Sequence, residues 1–109
     1  MLLFIGNTAG RKVWSDVIVD ATKHLRKISG PVLVHVTFKL TREKVYEANP
    51  YCTDLDNLLK RSFDALSKTV FSEAPDKDAC IVAIAAAKVL VHNPSESGVD
   101  GEIIEMAAA

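Results

Sequence analysis

The spacing of apolar residues divides the chain into strands and helices before any single residue is weighed. Leu2-Leu3-Phe4-Ile5 is a short apolar run closed by Gly6-Asn7, a strand ending in a turn by composition. From Trp14 the apolar positions are Trp14, Val17, Ile18, Ala21, Leu25 and Ile28, the i, i+3, i+4, i+7 spacing of an amphipathic helix. Asp16, Asp20, Lys23, Arg26 and Lys27 fill its other face, and Ser29-Gly30-Pro31 is expected to stop it. Val32, Val34, Val36, Phe38 and Leu40 then alternate with Leu33, His35, Thr37 and Lys39, the best strand in the chain. Residues 41–53 show no period and read as a long connection. Leu55, Leu58, Leu59, Leu66 and Val70, with Phe63 and Ala65 between them, give a second amphipathic helix.

Residues 72–78 read as a polar loop around Pro75, and Ile81 to Val91 as a buried strand. A final short strand is expected around Glu102 to Met106. The order β-α-β-α-β-β implies an α/β or α+β fold, a single-layer mixed sheet with two helices. At 109 residues, with 49% hydrophobic and 25% charged residues, the chain is expected to be one globular domain over residues 1–109.

Net charge is −1, from 13 basic and 14 acidic residues, so no whole-molecule field draws the protein to nucleic acid or to an anionic membrane. Its distribution is uneven. Residues 1–68 hold 11 Lys/Arg against 7 Asp/Glu, whereas residues 69–109 hold 2 against 7. A basic face could therefore form if the fold gathers Arg11, Lys12, Lys23, Arg26, Lys27, Arg42, Lys44, Lys60 and Arg61. Cys52 and Cys80 stand 28 residues apart, without the CxxC or histidine spacing of a zinc site. His24, His35 and His92 also lack ligand spacing and read as structural or exposed. No apolar run approaches the roughly 20 residues that span a bilayer, so no membrane partner is expected and the cytoplasm is the expected location.

Chemistry concentrates in Thr53-Asp54-Leu55-Asp56-Asn57-Leu58-Leu59-Lys60. One reading is purely structural: Thr53 or Asp54 caps the helix, first-turn acids suit the helix dipole, and Asp56 pairs with Lys60 at i, i+4. The other is a metal site. Residues two apart on a helix point about 200° apart, so Asp54 and Asp56 converge only if Asp54 lies in extended chain before the helix. Two carboxylates are hard oxygen donors that suit Mg²⁺ or Mn²⁺. A third acid could come from Asp76-Lys77-Asp78, if the returning chain passes beside the helix N-terminus. Lys60, one turn beyond Asp56, could touch a phosphate oxygen.

Asp54-Leu55-Asp56-Asn57-Leu58-Leu59-Lys60, then Asp64-Ala65-Leu66, then Asp78-Ala79-Cys80-Ile81-Val82 resemble the RusA-type Holliday junction resolvases, whose pattern is D-x-D-N-x-x-K, an Asp-Ala-Leu in the same helix, and an acid before an apolar strand. The resemblance covers residues 53–82 firmly and the flanking elements more faintly. It implies a homodimeric, Mg²⁺-dependent endodeoxyribonuclease, with Mn²⁺ as an alternative ion, that resolves four-way junctions in DNA recombination and repair. Its metal carboxylates would fall on Asp54, Asp56 and Asp78, and its catalytic lysine on Lys60. Asp76 reads as solvated loop charge. Arg11, Lys12, Lys60 and Arg61 are the candidate DNA contacts. The chain departs from the family in its abrupt start at Met1-Leu2-Leu3 and its near-neutral charge. A DNA-binding relative without activity, and an interaction domain whose acids are only caps, are the alternative readings.

Overall fold

The computed structural model describes residues 1–8, 14–41, 54–75 and 77–106. Among the described residues four strands and two helices follow one another as β1 (Leu2–Asn7), α1 (Trp14–Thr22), β2 (Val32–Leu40), α2 (Leu55–Lys68), β3 (Ile81–Leu90) and β4 (Gly98–Glu105). Short 3₁₀ turns at Lys77–Cys80 and Pro94–Glu96 lead into β3 and β4. This is the expected β-α-β-α-β-β order, in one mixed sheet arranged β1-β4-β2-β3. β4 pairs antiparallel with β1 and β2, while β2 and β3 are parallel. A parallel pair cannot be joined by a tight turn, so α2 is the crossover that carries the chain back along the sheet.

The alternation read in β2 is realised: Val32, Val34, Val36, Phe38 and Leu40 are all buried, against the helices. Trp14 packs edge-on against Phe38 with ring centroids 5.5 Å apart, which anchors the start of α1 over the C-terminal end of β2. At the other end of α1, the Thr22 hydroxyl bonds to the Ile18 carbonyl at 2.6 Å and to the Thr69 hydroxyl at 2.7 Å. Both helices therefore run opposite to β2 and β3, with their C-termini together near Pro31.

Three expectations are corrected. α1 ends at Thr22 rather than near Ile28: the Leu25 N–H turns back to the Thr22 carbonyl three residues earlier at 3.0 Å, and the Ile28 N–H bonds to the Val70 carbonyl at 2.9 Å. The last strand begins at Gly98, well before residue 102, since β4 is central and takes a ladder on both sides. β3 is a strand, as expected, but it is not buried: among the described strands it lies at the sheet edge, and most of its residues are exposed.

The glycines that would weaken β4 answer to close approach of a neighbour. Phe4 lies opposite Gly101 across the β1–β4 ladder, and its ring fills the space that a Cβ at Gly101 would need. Gly101→Ala should therefore destabilise the protein by about 1–3 kcal/mol in urea unfolding. Phe4→Leu in the same chain should recover part of that loss; full stability of Gly101→Ala alone would show that the ring is free to move aside.

Candidate active site

α2 forms because Leu58, Ala65 and Leu66 make a stripe that is entirely buried, while Asp56, Asn57, Lys60, Arg61 and Asp64 remain exposed on the other side. Its first ladder bond runs from the Leu58 N–H to the Asp54 carbonyl at 3.0 Å. Asp54 thus occupies the N-cap position, with extended backbone at φ −67° and ψ 161°, yet its side chain makes no capping bond. Of the capping reading, the Asp54 bond is thus not made, and Thr53 lies outside the described residues. The absence of that bond leaves an exposed carboxylate at the helix entrance, on extended backbone.

Asp56 follows in the first turn, where its Oδ1 accepts the Asn57 N–H at 3.0 Å. That contact uses one lone pair of the carboxylate and leaves the other oxygen open. Asp56, Lys60 and Asp64 succeed one another at i, i+4 and i+8, so they form a single line along the helix. With Leu59 and Phe63 they border a shallow cleft of about 400 Å³. Asp64 and Phe63 were not expected in a site, although the four-residue spacing from Lys60 was available to indicate Asp64. The cleft has a chemically mixed wall: an ammonium between two carboxylates over an apolar floor.

Asp78 lies elsewhere. It sits in the 3₁₀ turn that precedes β3, and the parallel crossover puts that turn at the C-terminal end of α2. The 14-residue helix is about 21 Å long, so the Asp78 backbone is a helix length away from Asp54 and Asp56, not beside them. Lys77, immediately before it, has a left-handed φ of 53°. Its N–H donates to the Ala74 carbonyl at 3.2 Å and its ammonium to the Ser72 carbonyl at 2.7 Å, which pins the turn. Among the described residues no three His, Cys, Asp or Glu side chains converge on one point.

The basic residues are divided as well. Lys60 and Arg61 are exposed near the start of α2. Lys23, Arg26 and Lys27 lie past the end of α1, at the opposite end of the fold, and are engaged there. Lys23 pairs with Asp20 at 3.6 Å, Arg26 with Glu105, and Lys27 donates to the Thr69 carbonyl at 2.7 Å. Arg11, Lys12, Arg42, Lys44, Cys52 and Asp76 lie outside the described residues. The histidines are exposed and separate, His35 facing Glu102 at 3.9 Å.

Among the described residues no helix is long and apolar enough to cross a membrane. In sequence, no curated protein matches the chain. The family described as Endodeoxyribonuclease RusA matches residues 11–97.

Proposed function

Because the chain belongs to the RusA endodeoxyribonuclease family, we propose that it is a Mg²⁺-dependent resolvase that cuts four-way DNA junctions as a homodimer. The observation that carries this reading is Asp54, extended at the mouth of α2 with its carboxylate unused as a cap, next to Asp56 and one turn from Lys60. The donor chemistry fits the ion: carboxylate oxygens are what Mg²⁺ prefers, and both are exposed, so the ion can keep waters and accept phosphate. When bound, the cation neutralises charge on the scissile phosphate and eases its attack by water; Mn²⁺ should replace it.

The chain's own residues do the rest. Asp54 and Asp56 hold the ion at the helix entrance, and Asp78 supplies the third carboxylate. Lys60 presents its ammonium to a phosphate oxygen, where it offsets the charge that grows as the phosphodiester opens. Arg61, beside it, and Arg11 and Lys12 contact the DNA backbone. The separation of Asp78 from the other two acids along α2 favours the dimer. One chain does not bring all three to one ion, whereas a second chain can lend its own Asp78. Two-fold symmetry also provides the two identical sites that paired cuts across a junction require. We read residues 1–109 as one such nuclease domain, acting in recombination and repair in the cytoplasm.

Incubation with a synthetic four-way junction and Mg²⁺ tests the reading. Paired, symmetric nicks are expected in two strands, with linear duplex spared and chelation stopping the reaction. Failure to cut with either Mg²⁺ or Mn²⁺ would overturn it.

A further inference from the structure

Lys77 holds the chain in a conformation that its own side chain disfavours. Among the described residues it is the one residue other than glycine with a positive φ, 53°, and it stands directly before Asp78. In the left-handed region a Cβ crowds the following carbonyl oxygen, and lysine lacks the short polar side chain that lets asparagine or aspartate settle there. Such a conformation persists only where its surroundings over-determine it.

Those surroundings can be followed bond by bond. The Thr69 carbonyl, just past α2, accepts the Lys27 ammonium at 2.7 Å, the Ser72 hydroxyl at 2.9 Å and the Ser72 N–H at 3.3 Å. Thr69 is itself buried, with its hydroxyl on that of Thr22, so this anchor belongs to the helix layer. Ser72 passes the constraint on. Its carbonyl accepts the Lys77 ammonium at 2.7 Å, while the Ala74 carbonyl accepts the Lys77 N–H at 3.2 Å. A mere connection would be served by glycine, which takes that φ unaided. Here a lysine takes it, and the same lysine supplies the donor that ties the turn down.

We infer that Lys77 is a positioning residue for the third carboxylate: its left-handed backbone and its ammonium on Ser72 fix the turn from which Asp78 is presented to the ion. This rests on the reading of Asp78 as an ion ligand. Asp54 and Asp56 stand at the entrance of a regular helix, whose own ladder fixes their backbone. Asp78 follows a turn, and a turn has to be stiffened by side chains if its acid is to keep a bonding distance. Groups that hold a ligand from behind commonly command about 10–100-fold in metal affinity.

Mn²⁺ binding to the full chain without DNA, read from the paramagnetic resonance signal of the free ion, tests the role, with the melting temperature measured alongside. Lys77→Met removes the donor and should weaken Mn²⁺ binding about 10-fold. Lys77→Arg, which can still donate to the Ser72 carbonyl, should restore most of that loss. The bond is exposed, so without metal both variants should melt close to the wild type. Lys77→Gly accepts the same φ without strain and lacks the ammonium; it should bind Mn²⁺ as weakly as Lys77→Met, and it decides the matter if the methionine variant does not fold. Unchanged affinity in these variants, or a loss that arginine does not recover, would overturn the inference. Asp78→Asn separates it from the reading beneath. If Asp78→Asn weakens binding and Lys77→Met adds nothing to it, Lys77 acts through Asp78, as expected. If Asp78→Asn leaves binding unchanged, the reading of Asp78 as a ligand fails; if it weakens binding and the Lys77 variants do not, that reading stands and the positioning role falls.

Discussion

Asp56→Asn should reduce junction cleavage by at least ~10²–10³-fold while the protein stays folded. The side chain is exposed, and its only described hydrogen bond is with the neighbouring amide, which an Asn oxygen can also accept. Removing a first-turn acid from a helix costs only about 0.3–1 kcal/mol, so melting should shift by a few degrees. Asp78→Asn should be as inactive. The two variants then report on how the acids are shared. If each ion takes Asp54 and Asp56 from one chain and Asp78 from the other, a mixed dimer of the two variants holds one fully intact site and one doubly defective one. Refolding the variants together should therefore restore nicking to roughly a quarter of the wild-type number of sites, from random pairing of two-fold dimers. Continued silence of the mixture, with each variant folded and dimeric, would place all three acids within one chain or remove Asp78 from the site.

The largest effect on stability is expected at Phe71. It is fully buried although it lies past the end of α2, in the turn region whose backbone is held by bonds from the Thr69 and Phe71 N–H groups to the Leu66 carbonyl. Phe71→Ala removes a whole ring from a close-packed core and should cost about 3–5 kcal/mol. Against the 5–15 kcal/mol that usually separates folded from unfolded domains, that is a fall in melting temperature of order 10–20 °C. Thermal denaturation followed by circular dichroism measures it. Phe71→Leu, which refills much of the volume, should lose less; equal losses in the two variants would mean that the ring's shape, not its bulk, is what the site demands.

Phe71 also shows where periodicity stops being informative. The second helix was legible from Leu55 to Leu66 because a 3.6-residue repeat needs only local sequence. Beyond the helix, burial is set by what the turn packs against, and no repeat announces it. The shortened α1 has the same origin: its pattern runs to Ile28, but the chain turns at Thr22–Leu25, and Ile28 is buried with its amide bonded to Val70 rather than within a helix. The extended N-cap at Asp54 meets the condition that helix geometry sets for two acids two residues apart to serve one site. The position of Asp78 was not anticipated, because hydropathy shows that a strand follows the helix and not that it lies parallel to the one before. β3 was misread as interior for a related reason: apolar composition indicates that a surface will be covered, without saying whether the same chain covers it.

If Asp78 completes the ion's ligands as proposed, α2 acquires a role that its composition does not show. It is a spacer of fixed rise, about 1.5 Å for each residue, with one set of acids at its entrance and another just past its exit. A carboxylate grips an ion only within a few tenths of an ångström of its bonding distance, whereas one added helical turn moves the exit by about 5.4 Å. On that reading the count of residues between Asp56 and Asp78 is a fixed length. Exposed positions of the helix other than Asp56, Lys60 and Arg61 are expected to tolerate substitution, but insertion or deletion there would put the two halves out of gauge while leaving every acid in place.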